Sequence, residues 1–151
     1  MTDVGESPLR RLLDIEVIRA LKARYFRTLD RKQWDDWGLV FANDALLEVP
    51  EGGVQERGRD AIVSSVSAAL EGTRTVHQGH MGEIDITGPD TASGIWAMFD
   101  YVEWPPAADG TRVGLQGYGH YEEKYVREDG AWCISYSRLE RLRVDPLPAA
   151  K

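Results

Sequence analysis

The chain has 151 residues, of which 42% are hydrophobic and 28% charged, values that suit one globular domain. Its net charge of -7 at pH 7 argues against a general nucleic-acid or membrane-surface binder, because both need a basic surface. A single cysteine excludes an internal disulfide and a cysteine-rich zinc site. With no apolar run long enough to span a bilayer and no apolar leader at the start, we expect a cytoplasmic protein.

The first half of the chain carries three stretches in which apolar residues recur at helical spacing. This spacing predicts helices over residues 9–29, 32–41 and 59–70. Pro8 suits the first turn of the first helix, because its missing N–H would have no partner there. Residues 45–49 between the second and third helices predict a short strand, which the following Pro-Glu-Gly-Gly cluster ends.

After Gly72 the pattern changes from helical spacing to strand-like alternation. Four β-rich stretches, separated by turn-forming residues, are predicted at 75–87, 91–104, 112–126 and 131–144. Helices first and consecutive strands afterwards indicate an α+β domain with an antiparallel sheet, and strands this long should curl around the helices. We expect one domain over residues 8–145, with loose termini at 1–7 and 146–151.

Two histidines on the first of these strands are candidate functional residues. Alternation places His77, Gly79 and Met81 on one face and His80 on the other, so only one histidine can face a concave sheet. Residues on opposite faces make a poor metal pair, and no metal site is expected. Either histidine could equally be an ordinary half-buried polar residue.

Asp100 on the next strand shares a face with Trp96, Met98 and Val102. A carboxylate on such an apolar face needs a partner, because burial of an unpaired charge is costly. A histidine on the adjacent strand could be that partner, and the carboxylate would then fix its tautomer and raise its basicity. The alternative is that Asp100 faces solvent, and alternation alone does not decide between the two.

Tyr25 lies on the apolar face of the first predicted helix, where its hydroxyl needs a partner or a cavity. Asp30 follows at the end of that helix and could either serve a site or cap the next helix. On the last strand, Arg138, Arg141 and Arg143 could all be surface residues, or one of them could pair with a pocket carboxylate. Phosphate-binding glycine loops, nucleophile elbows and zinc-protease motifs are absent from the sequence.

Several of these motifs together resemble the SnoaL-like proteins of the NTF2-like superfamily. The resemblance covers residues 10–145 and rests on IRALKARYFRTLDRKQWD at 18–35, VHQGH at 76–80, GIWAM at 94–98 and GYGHY at 117–121. It implies a cone-shaped, curved antiparallel sheet wrapped around three N-terminal helices, with a deep apolar pocket inside. It also implies a homo-oligomer formed through the open face of the sheet, a trimer or else a dimer.

Within that superfamily the site pattern is most similar to bile acid 7α-dehydratases and, more distantly, to scytalone dehydratases. Matched by motif, the catalytic residues would be Tyr25, Asp30, His77, Asp100 and Arg141. The resemblance also implies substrate contacts from Val49, Trp96, Met98 and Tyr121. The stretch around Val49 and the loop 105–110 differ from those relatives, so their substrates are not transferred to this chain.

Three functions follow from this resemblance, and all are cofactor-free. The first is a lyase that removes water from a small hydroxylated ring compound such as a steroid, terpenoid or polyketide. His77, held by Asp100, would take a proton beside a carbonyl, and Tyr25, oriented by Asp30, would bind the departing hydroxyl or the enolate. The second is an isomerase or cyclase that uses the same enolate. The third is a non-catalytic domain that binds a small ligand.

Overall fold

The computed structural model describes residues 7–148. The chain forms three helices, a short 3-10 turn and a sheet of six strands. In chain order the elements are α1 (Pro8–Asp30), α2 (Trp34–Gly38), β1 (Phe41–Val49), the 3-10 turn (Pro50–Gly52), β2 (Val54–Arg57), α3 (Arg59–Ala69), β3 (Arg74–Gly88), β4 (Thr91–Trp104), β5 (Val113–Glu128) and β6 (Ala131–Pro146). The α+β class predicted from the sequence is therefore confirmed.

The sheet is curved, unclosed and mixed, with the strand order β2-β1-β6-β5-β4-β3. Consecutive strands from β3 to β6 pair antiparallel, but β1 runs parallel to β6. The prediction of a wholly antiparallel sheet is wrong at this one ladder. Hairpin partners can be inferred from turns between neighbouring strands, whereas β1 and β6 meet across most of the chain, and no local pattern reports such a pairing.

The largest departures from the predicted elements lie between residues 32 and 57. The second helix is only five residues long, and β1 already begins at Phe41. Trp37 and Phe41 are both fully buried, and two apolar residues four positions apart resemble one face of a helix. Phe41 nevertheless begins a strand, which is why the sequence predicted the helix too long. The sequence did not predict β2, whose four residues pair with the end of β1.

Helix α1 packs against the concave face of the sheet, where an aromatic cluster forms much of the core. The cluster joins Tyr25 and Phe26 of α1 to Trp37, Phe41 and Tyr121 by edge-on and tilted ring contacts, with centroids 4.9 to 5.9 Å apart. Such geometries add about 0.5–1.5 kcal/mol per pair to the burial of the rings. The cluster fixes α1 above the sheet and so positions the residues at the end of that helix.

A β-bulge in β3 changes which side chains share the face of His77. The register between β3 and β4 shifts between Gly79 and Gly82, so the alternation does not continue through residue 81. Met81 is 94% exposed, and its predicted place on the inner face is wrong. A Cβ added at Gly79 would lie 2.5 Å from the Phe26 ring, which explains glycine at this close approach of strand and helix.

The two chain ends differ from the prediction in one respect. Residues 1–6 and 149–151, which the sequence predicts to be loose, lie outside the described residues. Leu147 is buried and its backbone N–H donates to the Gly114 carbonyl at 3.0 Å, so the tail stays attached to the sheet there.

Among the helices described within 7–148, none is both long and apolar enough to cross a membrane.

Candidate active site

The concave side of the sheet and the helices enclose an apolar cavity of about 380 Å³. Every helix and every strand contributes to its wall. Three of the five predicted catalytic residues line it directly: Tyr25, His77 and Arg141. The remaining wall is mostly aliphatic and aromatic: Leu29, Trp37, Leu47, Val49, Val54, Val66, Ala69, Leu70, Val102, Trp104, Leu115, Tyr121, Leu139 and Val144. A few polar groups in an apolar cavity are typical of a small-molecule site.

Asp30, at the last position of α1, binds His77 on β3. The His77 Nδ1 lies 2.7 Å from Asp30 Oδ1, and the His77 backbone N–H donates to Asp30 Oδ2 at 2.9 Å. A carboxylate at Nδ1 favours the tautomer with the proton on that nitrogen, which leaves Nε2 free to accept a proton. Asp30 therefore fixes the His77 ring on the cavity wall and leaves Nε2 without a bond to that carboxylate.

A second layer of polar groups holds Asp30 in turn. The Thr75 hydroxyl donates to Asp30 Oδ1 at 3.0 Å, and the Lys32 ammonium donates to Thr75 Oγ1 at 2.7 Å. These contacts commit the Asp30 carboxylate to β3. The alternative that Asp30 caps α2 is wrong, because α2 begins after Gln33 and has no side-chain cap.

Asp100 is fully buried on the inner face of β4, as one of the two alternatives expected. Its partner is Arg141 rather than His77: the Arg141 Nη2 donates to Asp100 Oδ2 at 2.6 Å and Nε donates to the same carboxylate at 3.2 Å. The His77 Nε2 is 4.0 Å from Asp100 Oδ2, beyond hydrogen-bond distance. The predicted histidine–aspartate pair therefore exists, but with Asp30 in place of Asp100.

Arg141 is also the arginine that turns inward among the three candidates on β6. Burial alone would lower the pKa of its guanidinium, but the hydrogen bonds and charge of Asp100 raise that pKa overall. Arg138 lies 3.6 Å from Glu48, and the largely exposed Arg143 pairs with Asp145. The expected alternatives are thus resolved in favour of Arg141.

Tyr25 is 4% exposed and lies next to Tyr121, with ring centroids 5.9 Å apart. Burial first, and then the negative charge of Glu123, raise the pKa of the Tyr25 hydroxyl well above its usual value. Tyr25 is therefore a neutral phenol at the cavity wall, able to donate a hydrogen bond. No hydrogen bond joins it to Asp30, whose carboxylate contacts His77 and Thr75.

The four residues expected to contact substrate divide into two pairs. Val49 and Tyr121 line the cavity. Trp96 and Met98 are buried but do not line it; the Trp96 Nε1–H donates to the Tyr125 hydroxyl at 2.8 Å. The shared face of β4 therefore supplies both cavity wall and closed core, a distinction that alternation does not reveal.

Two features near the cavity were not found from the sequence. Glu51 in the 3-10 turn accepts a hydrogen bond from Arg141 Nη1 at 2.7 Å, which ties the turn to the site. Beneath Tyr25 and Tyr121, Lys22 forms a 2.6 Å ion pair with Glu123, and both side chains are at most 1% exposed. A lysine on a helix and a glutamate on a strand are ordinary surface residues by composition, so no local signal marks this pair.

Glycine at position 117 leaves the room that the Asp100–Arg141 ion pair occupies. A Cβ added there would overlap with Asp100 Oδ1 and would lie 2.5 Å from Arg141 Cδ. We expect Gly117→Ala to displace the pair and to lower the free energy of unfolding by about 1–3 kcal/mol, measured by urea denaturation. Gly52→Ala is the control, since its added methyl makes only ordinary contacts at 3.7 Å or more. Equal stability of both variants would contradict this account.

Within residues 7–148, no group of three or more histidine, cysteine, aspartate or glutamate side chains is arranged to hold a metal ion. The charged groups at the cavity are instead committed to one another. Asp30 is bonded to His77, and Asp100 and Glu51 to Arg141. Such an arrangement suits proton transfer between side chains and a bound molecule.

The amino-acid sequence matches a known domain family. The profile of the SnoaL-like domain matches residues 10–138. A protein of Gibberella zeae named as probable cyclase FGR4 is 27% identical over 136 residues, covering 83% of this chain and 89% of its own.

Solved structures share the fold along nearly the whole chain. A hexachlorocyclohexane dehydrochlorinase (LinA) of type 2 is 20% identical with a TM-score of 0.82, and the match covers 94% of each chain. A protein of Novosphingobium aromaticivorans provisionally assigned as a scytalone dehydratase is 20% identical, with a TM-score of 0.79 and 92% of each chain covered. A Mycobacterium tuberculosis protein of unknown function, Rv3472, is 26% identical, with a TM-score of 0.75 and coverage of 93% and 78%.

Proposed function

Because the chain belongs to the SnoaL-like domain family, we propose that it is a cofactor-independent lyase that removes water from a small hydroxylated ring ketone. The observation that carries the proposal is the His77–Asp30 pair, in which Nδ1 is 2.7 Å from a carboxylate while the ring lines an apolar cavity. Family membership supports a lyase or isomerase type of chemistry on small molecules. The steroid, terpenoid or polyketide skeleton and the reaction steps are our proposal.

The proposed reaction begins when His77 Nε2 takes the proton from the carbon beside the substrate carbonyl. The electron pair of that C–H bond moves into an enolate, whose oxygen accepts a hydrogen bond from the neutral Tyr25 hydroxyl. The enolate then expels the hydroxyl group on the next carbon, and the proton carried by His77 joins it to form water. The products are an unsaturated ketone and water, and His77 returns to its starting state.

Asp30 and Arg141 act through other groups in this scheme. Asp30 holds the imidazole with Nε2 towards the cavity and stabilises the imidazolium that forms after proton transfer. Arg141 compensates the buried charge of Asp100, which lies 4.0 Å from His77 Nε2 and would otherwise disfavour a second negative charge on the nearby enolate. In this proposal Asp30 orients His77, whereas the resemblance implied that it orients Tyr25.

Isomerisation or cyclisation is the second candidate, and the similarity to a protein named as a cyclase favours it. The same enolate would form, but the proton or a carbon centre would return elsewhere on the skeleton and no water would leave. The geometry of His77 and Tyr25 serves both reactions equally. The difference lies in whether the bound molecule carries a hydroxyl group on the carbon next to the acidic one.

The experiment is to incubate the protein with neutral β-hydroxy ketones of steroid and polyketide type and to follow each by liquid chromatography and mass spectrometry. Loss of one water, absent with the His77→Gln variant, is the result we expect. A product of unchanged mass but altered retention would replace the lyase by an isomerase or cyclase. Binding without any conversion across the panel would overturn the enzymatic proposal and leave a ligand-binding domain.

We also propose a homo-oligomer, a trimer or a dimer, assembled through the outer face of the sheet. Ile95 on that face is 42% exposed and Leu142 is 73% exposed, and the half-buried Phe99 stacks at a tilt on Tyr118. Apolar side chains grouped on an outer face are typical of subunit interfaces. Light scattering after size-exclusion chromatography would show a single-chain mass if this proposal is wrong.

A further inference from the structure

Among the described residues, the charges that face the cavity are arranged so that each positive charge is compensated by a carboxylate. Among residues 7–148, Arg141 contributes the only guanidinium on the cavity wall, and its side chain is only 13% exposed. Two of its nitrogens donate to Asp100, and the third donates to Glu51. One positive charge thus meets two carboxylates, one of them fully buried and the other on the cavity wall.

The groups behind His77 do not alter that balance. Asp30 faces the imidazole, and the only ammonium beside it in the described chain, Lys32, binds Thr75 and does not line the cavity. The deeper ion pair of Lys22 with Glu123 is neutral as a unit. With a neutral imidazole, Lys32 balances Asp30 and Lys22 balances Glu123, so the two carboxylates on Arg141 leave the cavity and its supporting groups with an excess of one negative charge.

An anionic molecule would enter this cavity against two costs. It would lose its hydration in a wall made mostly of aliphatic and aromatic side chains, and no free cation among residues 7–148 would compensate that loss. It would also meet the field of the fully buried Asp100 carboxylate, which water screens poorly, and that of Glu51, whose side chain is 38% exposed at the cavity wall. A neutral molecule of the same shape would bear neither cost.

We propose that this cavity selects uncharged ring compounds over carboxylates and phosphate esters, and that Glu51 is the residue that sets this selectivity. The proposal deepens the proposed function, on which it rests for the identity of the site. Glu51 is suited to the role because it lies on the wall in a short surface turn and occupies the Arg141 nitrogen that Asp100 leaves free. Without its carboxylate, that side of Arg141 becomes a site for an anion.

The test compares two probes of nearly equal shape, 2-naphthol and 2-naphthoate, which are neutral and anionic respectively at pH 7. Binding of 2-naphthol is followed by its fluorescence, and 2-naphthoate is measured by displacement of 2-naphthol from the same cavity. We expect the wild-type protein to bind 2-naphthol at least about 10-fold more tightly, a difference of about 1.4 kcal/mol.

Glu51→Gln is the decisive variant. It should tighten 2-naphthoate binding by about 10-fold and change 2-naphthol binding by much less, because only the anion gains from the released guanidinium. The matched control is Glu140→Gln, which removes the same charge from the exposed neighbour of Arg141 on β6 and should change neither affinity. A melting curve of each variant verifies the fold.

Equal affinity of the wild-type protein for both probes, or no gain for 2-naphthoate in Glu51→Gln, would overturn the selectivity proposal. A gain of the same size in Glu140→Gln would overturn the role of Glu51 and leave only a general effect of net charge. These outcomes are separate from the fate of the lyase. A protein that prefers 2-naphthol but converts none of the β-hydroxy ketones keeps its selectivity and loses the proposed reaction.

Discussion

Replacing His77 by glutamine is expected to lower kcat/KM for the elimination by about 100- to 10,000-fold, the usual contribution of a positioned general base. Glutamine can occupy the same space and still bond to Asp30, but it cannot take a proton from carbon. The backbone N–H of residue 77 donates to Asp30 Oδ2 at 2.9 Å and keeps that bond in the variant, and a melting curve verifies the fold. The measurement is kcat/KM with the β-hydroxy ketone that the wild-type protein converts fastest.

Two further variants make the role of His77 specific. Asp30→Asn should lose a large part of the same activity, because an amide at Nδ1 no longer favours the tautomer that frees Nε2 or stabilises the imidazolium. His80→Gln is the matched control, since His80 is an exposed histidine three residues along the same strand, and its activity should equal that of the wild type. Full activity in His77→Gln would refute the base assignment.

Lys22→Met is expected to be the most destabilising single substitution considered for this chain. It would leave Glu123 buried without its counter-charge, which typically costs about 3–5 kcal/mol of unfolding free energy. It would also remove an ammonium that lies 3.6 Å from the Tyr121 ring centroid and 4.0 Å from that of Tyr25. Urea denaturation followed by tryptophan fluorescence measures the loss.

The control for that prediction removes both charges together. Lys22→Met combined with Glu123→Gln should recover most of the stability, because no unpaired charge remains and the new amide can still bond to the Tyr125 and Ser137 hydroxyls. Lys124→Met, a lysine-to-methionine change at an exposed position of β5, should alter stability by less than about 0.5 kcal/mol. A cost for Lys22→Met as small as that for Lys124→Met would contradict the account.

The long elements were predictable because their periodicity extends over many residues. The predicted strand 91–104 agrees with β4 at both ends, and α1 differs from its prediction by one residue at each end. Short elements were not predictable, since four or five residues carry too little periodic signal to separate a strand from a turn. This is why β2 was missed and why the second helix was predicted too long.

The sequence predicted which residues lie at the cavity better than it predicted the contacts between them. Motif resemblance brought His77, Asp30 and Tyr25 into one site, and alternation offered a buried Asp100 as one of two alternatives. Which carboxylate contacts which base depends on the register between β3 and β4 and on where α1 ends above them, and neither follows from spacing. The sequence therefore predicted a histidine–aspartate pair with the wrong aspartate.

Glu51 shows the limit of residue-type reasoning most clearly. It stands in a Pro-Glu-Gly-Gly cluster that predicts only a turn. Its place opposite Arg141, 90 residues away in the chain, arises from the parallel pairing of β1 with β6. The contact of Glu51 with Arg141 could therefore be predicted only if the pairing of β1 with β6 were known.

The most direct test of the central claim, that His77 removes a proton beside a carbonyl in this cavity, is hydrogen–deuterium exchange on 2-tetralone, a neutral bicyclic ketone with acidic C–H bonds. The protein is incubated with 2-tetralone in deuterated buffer, and deuterium uptake beside the carbonyl is followed by NMR. We predict uptake well above the buffer rate with the wild-type protein and a return to the buffer rate with His77→Gln. Wild-type uptake no faster than buffer, or equal uptake by His77→Gln, would contradict the account.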